Sequence, residues 1–404
     1  MIKKINKYLK YRNNLLFFDE ISLEKITKKY KTPIYCYSLS EIEDNFTELK
    51  NSFTKLKPLI CYAVKANNHN KILSLLSRSG CGADVVSKGE LKKSIVNGIP
   101  PNKIVFSGVG KTREEIKYAL KKNIKQLNVE SEEELSEIAH IANQDRKKVN
   151  ICIRVNPNVD PKTHYKISTG KSEDKFGIPN SNVINIFKKY NSNRFINIVG
   201  LSIHIGSQIQ NIKPFEIAFK QIKDQIISLR KLGFKINVLD LGGGIGIRYQ
   251  ENDSIINVKK YCYLVENLFT DMELEIIIEP GRSLVGSSGI ILSSVIRKKK
   301  GKNSDFIILD AGMNNLIRPS MYNARHEILP VLRKNTKKEI YDIVGPICET
   351  ADIFIKDNIS QRLQKDDLVI ICSVGAYGSC MASDYNLRGK AKEIFIKKNK
   401  IINE

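Results

Sequence analysis

The 404-residue chain contains no apolar run near the roughly 18 residues a membrane-spanning helix needs. Its longest, such as 274-LEIII-278 and 368-LVIIC-372, are strand length. The opening segment MIKKINKYLKYRNNLLFF lacks an apolar core ending in a small-residue cleavage site, so no secretory signal is expected and a cytoplasmic location follows. Acidic residues are scarce, 43 against 66 lysines and arginines, for a net charge of +23. Such an excess invites a nucleic-acid reading. The lysines, however, are spread along the chain, as in 29-KYK-31, 121-KK-122 and 298-KKK-300, and no basic block joins a known nucleic-acid module. A solvated basic surface is the better account, and it can still attract an anionic substrate. Neither nucleic acid nor a membrane is expected as a partner. The eight cysteines, at 36, 61, 81, 152, 262, 348, 372 and 380, include no CxxC pair and have no matching His pair, so no metal site is expected. Most read as core thiols.

What is present is a β/α alternation. Short apolar, β-branched runs occur at 59-LICYAV-64, 82-GADVV-86, 103-KIVFS-107 and 126-QLNVE-130, then at 150-NICIRVN-156, 198-IVGLSIH-204, 237-NVLDLGG-243 and 274-LEIIIEP-280. Helical patterns separate most of them, including 112-TREEIKYALKKN-123, 131-SEEELSEIAHIANQ-144 and 213-KPFEIAFKQIKDQIISLRKLG-233. The second of these opens with a capping box, Ser131 with Glu134 three residues on. Eight strands alternating with helices over about 250 residues predict a (β/α)8 barrel, with a doubly wound sheet as the competitor. After about residue 287 helical patterns thin out, and runs such as 306-FIILDAG-312 and 341-YDIVGPI-347 predict an all-β second domain. The strand 33-PIYCYSL-39 could belong to that domain or lead into the barrel. The expected division is a barrel over 40–286 and a β domain over 1–39 and 287–404.

In such a barrel the chemistry sits at the C-terminal ends of the strands. Several runs end there in polar residues that apolar strands do not need. Lys65 lies just past the first, Arg154 lies in the fifth, and His204 ends the sixth. Gly242-Gly243-Gly244 ends the seventh and Glu279 the eighth. Each has a plain alternative. A strand-end lysine is more often a surface residue with its stem on apolar neighbours. If functional, Lys65 would be a partly desolvated amine nucleophile of the Schiff-base kind. The Gly-rich turn in 240-DLGGGIGI-247 lets backbone N–H groups approach a phosphate. It is not a dinucleotide fingerprint, because no acidic partner is convincingly placed about 20 residues later. In 278-IEPGRSL-284, Glu279 and Arg282 could be a structural ion pair, or a buried carboxylate and an anion-binding guanidinium. His204 could be a satisfied core histidine or a flat ring stacked on a planar ligand.

In order and context these runs resemble the alanine-racemase-type barrel decarboxylases that use pyridoxal phosphate, and among those the diaminopimelate decarboxylases. The resemblance covers nearly the whole chain. It is carried by 61-CYAVKAN-67, 82-GADVVSKGEL-91, 163-THYKISTGKSEDKFGI-178, 203-IHIGSQI-209 and 240-DLGGGIGI-247. It continues through 278-IEPGRSL-284, 318-RPSMYNARHEI-328, 345-GPICETADIF-354 and 375-GAYGSCMASDYN-386. The resemblance implies a homodimer with shared active sites, an amino-acid substrate and pyridoxal 5'-phosphate as cofactor. Lys65 would hold the cofactor, Glu279 would keep its pyridine nitrogen protonated, and His204 would stack on the ring. Ser207, Gly244, Gly281 and Arg282 would contribute to phosphate binding, and Asp84 would orient the lysine or histidine region. Arg282, Arg318, Tyr322, Glu349 and Tyr377 would meet the substrate, with Tyr377 also beside the cofactor. Cys348 would donate the proton that replaces carbon dioxide, reaching the site from the other subunit. The expected reaction turns meso-2,6-diaminopimelate into L-lysine and carbon dioxide, the last step of lysine synthesis. Ornithine and arginine decarboxylases of the same fold are the alternative. One departure is visible: the family's proline-containing segment after Tyr-Asn reads here 388-RGKAKEIF-395.

Overall fold

A computed structural model describes residues 5–402 except 162, 168, 172 and 303. Two members of the 163–178 motif, Ser168 and Ser172, therefore lie outside the described residues. The chain forms two compact units. One comprises residues 46–246 and 255–281; the other comprises 1–45, 247–254 and 282–404.

The first unit is a closed parallel barrel of eight strands. They are β1 (Leu59–Ala63), β2 (Gly82–Val85), β3 (Ile104–Phe106), β4 (Gln126–Val129), β5 (Val149–Asn156), β6 (Ile196–Ser202), β7 (Val238–Asp240) and β8 (Glu275–Ile278). Each pairs with the next, and the ring closes through Ile277 opposite Leu59 and Ile278 opposite Ile60. The doubly wound alternative is thereby excluded. Side-chain layering fits this closure. Cys61, Val105, Cys152 and Val238, from the odd-numbered strands, form one apolar layer across the interior with Ile277 of β8. Four side chains from alternate strands is the packing unit of such barrels. Two of the scattered cysteines are thus barrel filling, and burial pushes both thiols well up from their ordinary range.

Local signals fix the helices between strands. Thr112 caps Arg113–Lys122 with a complete capping box, its hydroxyl taking the Glu115 N–H and the Glu115 carboxylate taking the Thr112 N–H. The box expected at Ser131 forms only by half. Ser131 accepts the Glu134 N–H at 3.1 Å, but the Glu134 carboxylate turns to the Glu130 N–H and to Lys111 Nζ, both at 2.7 Å. A buried ammonium outcompetes a cap bond because it cannot be left unpaired. The helix Lys213–Lys231 stops just before Gly233.

The second unit is strand-rich. A sheet runs in the order Ile353–Gln361, Lys338–Val344, Asp305–Leu309, Gly289–Lys299, Ile34–Ser38, Lys392–Lys397 and Lys400–Ile402. The strand left open above, Ile34–Ser38, belongs here: it lies antiparallel to Gly289–Lys299 and parallel to Lys392–Lys397. Three short strands, Leu9–Arg12, Leu15–Phe18 and Ile21–Ser22, make a second small sheet. The 388–395 segment includes Gly389 at φ 72° and leads into the strand Lys392–Lys397. Among the described residues no helix is long and apolar enough to cross a membrane.

Candidate active site

Above the apolar layer, the strand ends of the barrel turn polar around a cavity of about 180 Å³. Lys65, Ser107, Asn128, Arg154, His204, Asp240 and Glu279 all line it. Lys65 sits in a single 3-10 turn directly after β1, and its Nζ lies 2.6 Å from Oδ2 of Asp84 on β2. The side chain of Asp84 is fully buried while that of Lys65 keeps 37% of its surface, so the amine reaches the cavity from an anchored base. The other oxygen of Asp84 is buried with no hydrogen-bond partner.

Opposite this pair lies a carboxylate pair, Asp240 at the end of β7 and Glu279 just past β8. Asn128 Nδ2 donates to Asp240 Oδ2 at 2.8 Å and to Glu279 Oε1 at 3.3 Å. Ser107 Oγ adds a bond to the same Glu279 oxygen at 3.4 Å. Burial, then the charges of Asp240 and Asp84, raise the Glu279 carboxyl well above its usual range. Burial also raises Asp240. Two carboxyls this close cannot both be charged without cost, so the pair retains a proton above the ordinary carboxylate range.

His204 faces the same cavity. Its Nδ1 accepts the Gly243 N–H at 3.1 Å, which leaves the proton on Nε2 and the ring neutral. Burial, then the nearby Arg154 and Lys65 cations, hold it well below the usual imidazole range. The turn Gly242–Gly244 follows β7. Gly242 and Gly244 have φ of +64° and +112°, which glycine alone adopts freely. A Cβ on Gly243 would stand 2.2 Å from the Glu279 carbonyl oxygen. Ser207 lies in the loop after β6, its N–H on the Ile167 carbonyl at 3.1 Å. Gly281 packs so that a Cβ would meet those of Ala63 and Ala66 at 3.0 and 3.1 Å.

Residues the sequence did not single out complete the barrel site. Glu130 accepts Arg154 Nη1 at 2.5 Å and the N–H groups of Gly108 and Gly177. The Arg154 guanidinium lies over the Phe176 ring at 5.0 Å. Asp240 carried a visible signal, a polar residue at the C-terminal end of an otherwise apolar strand, as Glu279 is; Asn128 and Glu130 lie in the alternating run 126-QLNVE-130.

The second unit gathers a different set. Arg282 and Arg318 are both buried, and both guanidinium groups contact Tyr249, at 5.8 and 4.4 Å from its ring centre. Arg282 also bonds the Tyr249 hydroxyl and lies 4.7 Å from the Tyr377 ring centre. Tyr377 takes φ +56°. Tyr322 ends the short helix Arg318–Tyr322, and its hydroxyl acts electrostatically on Arg318. Tyr249 and His326 join this cluster without having been expected. Cys348 and Glu349 stand on an exposed loop. The Cys348 N–H donates to Asn386 Oδ1 at 3.1 Å, and the Tyr385 hydroxyl donates to Glu349 Oε1 at 2.5 Å. Neither side chain of this loop is hydrogen-bonded to Arg318, whose partner is His326. Among the described residues no group of three or more His, Cys, Asp or Glu side chains could hold a metal ion.

A barrel with a lysine, a buried carboxyl pair and a glycine turn at its strand ends, together with a strand-rich unit, is an arrangement that a pyridoxal-phosphate-dependent decarboxylase can use. The family model for the pyridoxal-dependent decarboxylase pyridoxal-binding domain matches residues 39–286. The chain is 42% identical over 401 residues to the diaminopimelate decarboxylase of Aquifex aeolicus, covering 99% of this chain and 95% of that one. It is 43% identical over 393 residues to that of Zymomonas mobilis, covering 96% and 93%. The crystal structure of diaminopimelate decarboxylase from Helicobacter pylori complexed with L-lysine superposes with a TM-score of 0.90 at 42% identity, covering 94% of this chain and 95% of that one. The chain belongs to the diaminopimelate decarboxylase family, and its cofactor is pyridoxal phosphate. The barrel residues fit that group. A ring nitrogen carrying a proton suits a floor of buried carboxyls with an orphaned oxygen on Asp84. A reactive carbonyl suits the anchored Lys65 amine, and a phosphate suits a turn that excludes any Cβ.

Proposed function

We propose that this chain decarboxylates meso-2,6-diaminopimelate to L-lysine and carbon dioxide. One observation carries the reading: Lys65, held from behind by Asp84, lines one cavity with the proton-retaining Asp240–Glu279 pair and a neutral His204. When bound, pyridoxal phosphate supplies the electron sink for the pair released by the departing carboxylate. The chain's own groups do the rest. Lys65 Nζ is the point of attachment, and Asp84 orients it. Glu279 passes the proton its buried pair retains to the pyridine nitrogen and, as the carboxylate so formed, holds it there. His204 offers a flat, uncharged face to the ring. The N–H groups of Gly244 and Gly281, with Ser207 and Arg282, hold the phosphate.

Arg282, Arg318, Tyr322, Glu349 and Tyr377 take the substrate. Two buried guanidinium groups suit its carboxylates, and Glu349 suits the distal ammonium that an aminocarboxylate end carries. Tyr377 also lies beside the cofactor. Cys348 returns a proton to the carbon that lost its carboxylate, and its exposure in one chain is what delivery to a second copy requires. The reading therefore includes a homodimer with shared sites. It also includes a cytoplasmic location.

The test is carbon dioxide release by the purified protein with pyridoxal phosphate, offered meso-diaminopimelate, L-ornithine, L-arginine and L-lysine in parallel. Release from diaminopimelate alone is expected. Preference for ornithine or arginine overturns the roles of Arg282, Arg318 and Glu349. Borohydride reduction should fix the cofactor on the Lys65 peptide and on no peptide of Lys65→Ala. Cys348→Ala should lose about 10²-fold in kcat, the contribution of a positioned general acid, with cofactor retained. Mixing Lys65→Ala with Cys348→Ala should regain activity, because a mixed dimer contains one intact shared site.

A further inference from the structure

We propose that His326 is a positioning residue that aims the Arg318 guanidinium at the substrate's carboxylate, an inference that rests on the substrate role given to Arg318 above. The ring is almost fully buried, as is Arg318, eight residues earlier at the start of its short helix. Its Nδ1 lies 2.8 Å from the Cys372 carbonyl oxygen. A carbonyl can only accept, so the proton is on Nδ1, and Nε2 presents a lone pair. Arg318 Nη1 lies 2.8 Å from that lone pair and donates to it. The backbone reinforces the arrangement, since the Cys372 N–H bonds the Glu327 carbonyl at 2.9 Å. Tyr249 completes the clamp. The Arg318 guanidinium lies 4.4 Å from its ring centre, and His326 meets the same ring edge-on at 4.9 Å and 77°.

The chemistry of the partner is the point. A buried arginine is ordinarily held by a carboxylate, which fixes its direction and cancels its charge. Among the described residues no carboxylate pairs with Arg318. A neutral imidazole fixes the direction and leaves the charge. The Nε of Arg318 is buried without a hydrogen-bond partner, so the group has a donor in hand for an anion. Burial, then the Arg318 and Arg282 cations, keep His326 far below the usual imidazole range, which holds the lone pair available.

Two isosteres separate aiming from packing. In His326→Gln the amide oxygen reaches the Nε2 position and can accept from Arg318. In His326→Asn the amide can still donate to Cys372 but ends short of Arg318. With holoenzyme, His326→Asn should raise KM for meso-diaminopimelate about tenfold with a smaller change in kcat, the scale of one hydrogen bond to a charged group. His326→Gln should stay within about threefold of wild type. Equal KM values for the two variants, or impairment of the Gln form alone, would overturn the proposal while wild-type turnover upheld the substrate reading. A wild type inactive on diaminopimelate would overturn that reading and the proposal with it. The unaltered protein gives an independent check. Selective ¹⁵N labelling of histidine should show a neutral Nδ1–H tautomer whose Nε2 resonance moves when L-lysine is added. An Nε2–H tautomer, or a resonance indifferent to ligand, counts against it.

Discussion

The Gly243 N–H donates to Nδ1 of His204 at 3.1 Å, and this bond makes the ring an acceptor that cannot also carry a proton there. A group whose folded pKa is depressed binds fewer protons than its unfolded form below about pH 6.5. The stability of the cofactor-free protein relative to His204→Gln should therefore be full above that pH. It should fall as pH drops, by up to about 1.4 kcal/mol per unit. Urea unfolding from pH 8 to 5 measures it, and a pH-independent difference would mean that the ring takes up its proton as readily in the fold as in the unfolded chain.

Glu279 has the opposite sign. Its folded pKa is raised, so its cost to the fold appears above about pH 4.3, the ordinary glutamate value, and grows with pH until the folded carboxyl ionises. Glu279→Gln keeps an acceptor for Asn128 and Ser107 and removes the charge. The cofactor-free variant should melt higher than wild type at pH 8, by about 2–4 °C for each kcal/mol relieved, and the gain should shrink at pH 5. Its turnover should fall, since a neutral amide is a poor partner for a protonated pyridine.

Gly243→Ala should cost about 1–3 kcal/mol, because the new Cβ meets backbone atoms of Glu279 that cannot swing away. Gly110→Ala, with nothing within 4 Å, is the neutral control. Thermal midpoints and cofactor retention on gel filtration distinguish the two.

Tyr385→Phe removes the 2.5 Å bond to Glu349 and leaves the Asn386 bond to the Cys348 backbone. Kinetics should show a several-fold loss of turnover with the bound-cofactor spectrum unchanged. Full activity would show that the loop needs no bracing from this side.

The barrel was legible because its strands are short, apolar and evenly separated by helical patterns. Lys65, Arg154, His204 and Glu279 stood out as polar residues where such strands end. Asn128 and Glu130 lay inside one of the same runs and were not singled out, since 126-QLNVE-130 alternates polar and apolar residues and reads as an ordinary half-exposed strand until the ring closes. Arg318 came from resemblance alone. Its partners Tyr249 and His326 sit in segments without periodicity, and only three-dimensional folding brings residues 249, 282, 318 and 377 onto one aromatic ring or its neighbour. The strand Ile34–Ser38 was ambiguous because a fully buried strand reads alike in either unit.

The seam between β1 and β8 joins the earliest strand of the barrel to the latest, and Lys65 and Glu279 follow those two strands directly. A contiguous fragment holds both groups only if it spans 65–279, nearly the whole barrel. A nascent chain consequently carries Lys65 long before Glu279, and the two share a cavity only once the ring has shut. During refolding, recovery of the protein-bound cofactor's colour should thus time ring closure itself, and a barrel split into two co-expressed halves should regain that colour only when the halves reassemble.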